Sequence, residues 1–385
     1  MRGAIVLIGI LTLSGCNPPS SGGFGDGGGT GGTISSADFF GKVLGAICVL
    51  QKRCANYATD TCLNLIGNSI PDLDKAVKAG RVKYDPSKAQ ACLDFYSSLS
   101  CEDLTRGLSG GEPAACRAAL AGTVPSGGAC YDSIDCVAGS CSRSNNACPG
   151  KCVDYVAANG DCSMGGNCDS SLGYRCIAGR CAMPGGAGAV CSNATDCTAG
   201  LTCVGGKCAT PGGLRAACKT KDDCASGLYC EPGAMQSMCA NQVAAGGACG
   251  SDLKSFSVIS TQCAGTLVCA GASVSQMGQV TPGRCVTASD EGGPCTDIPQ
   301  GATGISGCLI GLVCSAGKCT QSPTTGPCAA DVYAPCKNGV AYCDRNSKTC
   351  QPVKANGMAC AGSGECKSRN CDNMVCAASN TCAEP

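Results

Sequence analysis

The chain has no histidine and no tryptophan, and its aromatic residues amount to only 4%. Without histidine there is no imidazole acid–base catalysis, no Ser-His-Asp or Cys-His nucleophile system and no His-containing zinc site. Without tryptophan, and with so few other rings, the usual large contributors to an apolar core are missing. Charge is balanced at 28 basic against 28 acidic residues, which argues against a nucleic-acid or anionic-membrane partner recognised through net charge. Cys-x-x-Cys is absent as well; the closest pair, Cys148 and Cys152, has three residues between them. Zinc-ribbon and thioredoxin-type readings therefore lose their signature. No cofactor is expected and no enzyme activity.

What the chain has instead is cysteine, 41 of 385 residues. That density marks a disulfide scaffold in an oxidising compartment. The N-terminus gives the compartment a route. Met1-Arg2 is a short positive start, and Ala4 to Leu13 is an apolar stretch of signal-peptide length, well short of the roughly 20 residues a spanning helix needs. Leu13-Ser14-Gly15-Cys16 has the form of a bacterial lipobox, so residues 1–15 read as a lipoprotein signal peptide and Cys16 as the acylated N-terminus. The lipid is then the only expected membrane contact. Asn17, rather than Asp, leans the destination towards the outer membrane by resemblance to known sorting signals. Removing Cys16 leaves 40 cysteines, an even set that can close 20 bridges.

Residues 16–34 are the lipidated cysteine and a Gly/Ser-rich tether, whose r.m.s. reach is roughly 20–25 Å. Residues 35–122 read as a small helical domain with six cysteines. Ser36 caps a helix carrying Phe39, Phe40, Val43, Leu44, Ile47 and Leu50 at three- and four-residue spacing. Pro71 opens a second helix that stops at Gly80. Asp85-Pro86 opens a third through about Ser98, and Glu112-Pro113 a fourth over Ala114 to Ala121. Three bridges among Cys48, Cys54, Cys62, Cys92, Cys101 and Cys116 would staple these helices, in any of 15 connectivities.

From 123 to 385 the helical period disappears and eight cysteine-rich repeats follow, beginning at Cys130, Cys162, Cys191, Cys218, Cys249, Cys295, Cys328 and Cys360. Each has four cysteines, which compensate for a length too small to bury a core. Seven place a glycine two or three residues before the first cysteine; at Cys218 the nearest is Gly213, five before. Segments such as Cys203-Val-Gly-Gly-Lys-Cys208 read as tight hairpins with glycines at the turn. Cys152 and Cys382 are left over, to pair locally by displacing another bridge or with each other. Asp135, Asp196 and Asp223 stand immediately before a second cysteine and read as turn-capping carboxylates in preference to calcium ligands.

Cys218-KTKDD-Cys224-ASGLY-Cys230 resembles the Dickkopf N-terminal cysteine-rich motif. Cys191-SNATD-Cys197-TAGLT-Cys203 and Cys308-LIGLV-Cys314 echo parts of it. The whole layout of lipobox, six-cysteine helical region and repeats resembles lipoprotein families of myxobacteria. The resemblance to small knots implies crossed pairing within a unit: Cys191–Cys203 with Cys197–Cys208, and Cys218–Cys230 with Cys224–Cys239. Pairing across the hairpin, Cys203 with Cys208, stays open.

Two long inserts interrupt the repeats, Cys249-x13-Cys263 with Cys269-x15-Cys285, and Cys295-x12-Cys308. Inserts in repeat arrays map to exposed loops, often on a binding face. Phe256, Val258 and Ile259 are the candidate binding loop, with padding of a neighbouring unit as the competing reading. The expected fold is thus small disulfide-rich repeats, short β-hairpin knots in an extended array, after a disulfide-stapled α-helical domain. The expected function is a non-enzymatic, lipid-anchored surface module whose semi-rigid repeats bind a protein or glycan at the bacterial envelope, with no nucleic-acid partner. The alternative is a protease-inhibitor-like scaffold.

Overall fold

The structure, a computed structural model, describes residues 33–377 apart from 67–70, 102–113, 144–147, 164–166, 234, 251–261, 276, 300–301, 329–335, 338 and 345. Cys16, Cys382 and the loop residues Phe256, Val258 and Ile259 lie outside the described residues. The chain divides into two compact units. Of the described residues, one holds those up to Leu50, Cys62–Pro184 and Ala377; the other holds Gln51–Thr61 and Gly185–Cys376. The compositional junction at 122/123 lies inside the first.

Helices α1 (Ser36–Ala55), α2 (Thr59–Ile66), α3 (Leu73–Lys78), α4 (Pro86–Ser98) and α5 (Ala114–Ala119) are joined by strands β1 (Val82–Tyr84) and β2 (Leu120–Gly122). Asp85 caps α4 as its sequence signal requires, its carboxylate accepting the Ser87 N–H at 2.9 Å. Three details differ from the sequence reading. The cap of α1 is Ser35, whose Oγ accepts the Asp38 N–H at 3.2 Å. Ser36 is instead the first helical residue, and its hydroxyl donates to Asp74 at 2.9 Å, tying α1 to α3. Helix α5 stops at Ala119 because Leu120–Gly122 pairs antiparallel with Val82–Tyr84, a long-range ladder that local propensity does not reveal. Helix α2 is an element the sequence reading does not anticipate.

Phe39 is fully buried against the edge of Tyr84 at 5.6 Å between ring centroids, and the Tyr84 hydroxyl donates to the Ile34 carbonyl at 2.8 Å. Bridges Cys48–Cys62 and Cys92–Cys116 staple the helices, and Cys54 and Cys101 are also disulfide-bonded.

Among the described residues, seven repeats share a parallel bridge to the second cysteine, and the third shows the plan best. Gly185 pairs in parallel with Cys197: its N–H donates to the Asp196 carbonyl at 2.8 Å and its carbonyl accepts from Thr198 N–H at 2.9 Å. A turn leads to Cys191, a 3₁₀ turn over Ala194–Asp196 to Cys197, and a hairpin of Thr202–Val204 with Lys207–Ala209 closes the unit. Gly205 and Gly206 form the hairpin turn at φ 59° and 80°, the left-handed region a two-residue hairpin needs. Cys203 and Cys208 stand opposite each other across this hairpin, yet they do not bond to each other. Cys203 is bridged to Cys191 and Cys208 to Cys197. Each hairpin strand is thereby tied to a different upstream segment. Loops of 12 and 11 residues are each worth ~3 kcal/mol in the chain-entropy account.

The same crossed pattern, first to third and second to fourth, recurs in all eight repeats. In the first repeat the fourth knot position belongs to Cys152, bridged to Cys136. The supernumerary cysteine there is Cys148, itself disulfide-bonded. Reading Cys152 as the extra is corrected accordingly: residue 152 sits on the hairpin strand Gly150–Val153 directly opposite Cys141, the place the knot requires.

The residue three before the first cysteine is left-handed in seven repeats, at Gly127, Asn159, Gly188, Arg215, Gly246, Gly292 and Gly357. Its N–H donates to the carbonyl of the fourth cysteine, at 2.7 Å for Gly188 and 2.8 Å for Arg215. Arg215 explains the missing glycine at Cys218. The turn is kept and a side chain tolerates a conformation that costs most residues ~1 kcal/mol. Ten positions separate the fourth cysteine of one repeat from the first of the next at every junction but Cys319 to Cys328, which has nine.

Candidate functional site

The inserts leave the repeat pattern and join each other. Ser273–Val274 pairs antiparallel with Val280–Thr281 of its own insert and, on its other edge, with Thr303–Gly304 of the next repeat. The backbone continues this union: Gly271 N–H donates to the Ile305 carbonyl at 2.7 Å, and Ile305 N–H returns to Ala272 at 2.9 Å. Ala272 and Ser273 are buried, and Ile305 packs into the cystine core of the preceding repeat formed by Cys249, Cys263, Cys269 and Cys285. A side chain could not replace Gly304, because a Cβ there would lie 2.6 Å from the Ala272 carbonyl oxygen. The 270–284 insert is therefore a rooted hairpin and not a plain loop.

Its tip is a tight turn. Ser275 N–H donates to the Gln279 carbonyl at 2.9 Å, Gly278 N–H to Ser275 at 2.9 Å, and the Ser275 hydroxyl accepts the Gln279 N–H at 3.1 Å. Met277 rides on this tip at 88% exposure, with Val280 exposed on the strand below. Exposed apolar side chains on a backbone held by two adjacent knots make a preorganised contact surface. The sequence reading names this insert but places its candidate residues in the other one, at 250–262.

In the second unit, residues 56–61 lie against the sixth repeat, the one that supplies Thr303–Gly304. Ala58 N–H donates to the Ile310 carbonyl at 2.9 Å and Ile310 N–H to Asn56 at 2.6 Å. Ala58 joins Cys308, Leu309, Leu312 and Cys319 in one buried cluster, and Lys52 pairs with Asp290 at 2.6 Å.

The carboxylates before the second cysteines share one job. Asp135 accepts the Tyr131 and Asp132 N–H groups at 2.8 and 3.2 Å, Asp196 those of Ser192 and Asn193 at 2.7 and 3.2 Å, and Asp223 those of Lys219 and Thr220 at 2.6 and 2.9 Å. Two further residues share the role without sharing the Asp. Gln262 Oε1 accepts from Gly250 N–H at 2.7 Å, and Glu365 from Ala361 N–H at 3.1 Å. A neutral amide in the same place shows that these five repeats use a hydrogen-bond acceptor, and not a charge, for the residue after the first cysteine, whereas the sixth carries Gly307 there. Position relative to the cysteine, and not residue type, was the signal available.

Two of these acceptors also meet a cation. Asp135, 1% exposed, takes the Arg81 Nε at 3.2 Å while the Arg81 guanidinium sits 4.8 Å over the Tyr131 ring. Glu365 takes the Lys354 ammonium at 2.6 Å, with the Tyr342 ring 5.2 Å from that nitrogen. Burial pushes the Glu365 carboxyl up, but the Lys354 ammonium and the Ala361 N–H outweigh it and hold it below its ordinary value. The Lys354 ammonium is raised, first by its hydrogen bond to Glu365. Sulfur triplets such as Cys191, Cys197 and Cys208 lie within 4.8 Å of one another. All three are already bridged, so they form the core of the knot.

No protein-family model, curated protein or solved structure matches this chain.

Proposed function

We propose that this disulfide-rich, extracytoplasmic module is a non-enzymatic display protein. Cys16 anchors it by lipid to the outer membrane of a bacterial envelope, and it binds a protein or glycan partner through the joined inserts of its fifth and sixth repeats. The observation that carries the reading is the sheet formed by Ser273–Val274, Val280–Thr281 and Thr303–Gly304, which presents Met277 and Val280 from a cystine-locked root. Chemistry in the repeats supports it: the described repeat cysteines are spent on bridges, and five of the residues before a second cysteine on backbone turns.

A photo-cross-linker placed at position 279 on intact cells tests this. It is expected to capture a discrete partner, and adding Met277→Asp with Val280→Asp should abolish capture while the bridge map stays unchanged. Capture equally efficient with both substitutions present would sink the proposed face. Cys16→Ala should release the protein from membranes; retention of that variant would sink the anchor independently. The rigid exposed tip also suits the inhibitor reading, for which stoichiometric blockade of a protease, lost with Met277→Asp, is the distinguishing result.

A further inference from the structure

Methionine is among the residues most often buried in folded proteins, and here it is not. Of eight methionines, Met1 and Met164 lie outside the described residues. The other six, Met183, Met235, Met238, Met277, Met358 and Met374, are all exposed. Met235, Met277 and Met374 reach 103, 88 and 78% exposure. Leucine and valine divide between interior and surface in the same molecule: Leu44, Leu73, Val82 and Leu309 are buried, whereas Leu172 and Val190 are exposed.

We propose that the repeats are an oxidant trap whose surface methionines consume two-electron oxidants of the hypohalous-acid class. The remaining chemistry of the chain favours that assignment. Histidine and tryptophan, two other readily oxidised side chains, are absent, and the knot cysteines carry no thiolate because they are already bridged. Thioether sulfur is then the most reactive target for such an oxidant. Oxidation there adds a polar oxygen where water already is, so it costs no core packing; a buried methionine would disrupt its core on the same change. With hypochlorous acid the sulfur lone pair takes the chlorine and the O–Cl bond breaks, releasing hydroxide. Water then replaces chlorine on sulfur and chloride leaves. The sulfide becomes a sulfoxide, oxidised by two electrons, hypochlorous acid is reduced to chloride, and the protons end in water and the medium.

The test is titration of the purified full-length chain with limiting hypochlorite beside a methionine-containing indicator peptide. Peptide mass spectrometry and a non-reducing bridge map are the readouts. All six described methionines should carry one added oxygen before any cystine is lost, with backbone circular dichroism unchanged. The indicator should be spared in proportion to the chain added. A variant with the six replaced by leucine, and a second with glutamine, should keep the bridge map and lose most of the sparing, leaving what Met1 and Met164 supply. Equal sparing by both variants, cystine loss preceding methionine oxidation, or unfolding on sulfoxide formation would each overturn the proposal.

Discussion

In five repeats the residue six before the first cysteine and the residue two before it pack on each other, and the side chains trade places between these repeats. Where the first is Val124, Val156 or Val243, the second is Gly128, Gly160 or Gly247. A Cβ on those glycines would meet the valine Cγ1 at 2.5–2.6 Å. Where the first is Gly185 or Gly212, the second is Ala189 or Ala216, whose Cβ lies 2.3 or 2.6 Å from the position the missing Cβ would take. Ser322 with Gly326, and Lys354 with Met358, depart from the exchange. Gly185→Val alone should destabilise the third repeat by about 1–3 kcal/mol through overpacking. Adding Ala189→Gly should recover about half or more of that, since the pair then matches the valine–glycine repeats. Urea unfolding of the four proteins of this cycle measures the coupling, and additive costs would refute the exchange. At the same scale, the Glu365–Lys354 pair sets a pH window. A lowered Glu365 contributes stability present above its ordinary 4.5, lost as pH falls through the folded value. A raised Lys354 contributes stability present below its ordinary 10.5, lost as pH rises through the folded value. Glu365→Gln keeps an acceptor for Ala361, as Gln262 does for Gly250, and should flatten both limbs of a melting-temperature profile, because the raised Lys354 depends first on Glu365.

At the scale of the element, the repeat is a hairpin tied twice. Losing one tie releases a loop of about a dozen residues and should cost ~3 kcal/mol, most of what so small a core can supply. Cys197→Ala with Cys208→Ala is therefore expected to melt the third repeat. Amide exchange should rise across residues 185–209 and stay protected in the fifth and sixth repeats, whose own bridges and joined sheet are untouched. Protection lost throughout residues 243–321 would mean that the repeats do not hold their structure independently. The helical region shows how far local signals reach. Asp85-Pro86 dictated α4 because the cap and the fixed proline φ are properties of adjacent residues. Helix α5 gave way at Leu120 because the residues that follow had a distant upstream partner, Val82–Tyr84, in register.

For the whole molecule, bridges replace a conventional core. Reductant should therefore unfold the described repeats at ambient temperature, whereas a metal chelator should leave the circular dichroism spectrum unchanged. The sulfur triplets are bridged and the acidic turn residues are occupied by backbone N–H groups. Unfolding by chelator alone would reveal a metal-dependent fold and refute this account.

Composition, cysteine spacing and glycine placement by themselves determined a disulfide scaffold, its eight repeats, its hairpins and its stapled helices. These depend on entropy and turn geometry that act over a few residues. Tertiary structure decided what those distances cannot encode. Cys203 and Cys208 face each other but bond to Cys191 and Cys197, upstream residues whose segment is held to the hairpin by Cys191 N–H on the Gly206 carbonyl and Cys208 N–H on the Ala189 carbonyl. Arg215 could serve where glycine was expected because the turn needs a backbone angle and an N–H, not a residue type. The two inserts became one sheet because Ser273–Val274 had an unpaired edge and the next repeat carried Thr303–Gly304 to it, a meeting no periodicity in either segment announces.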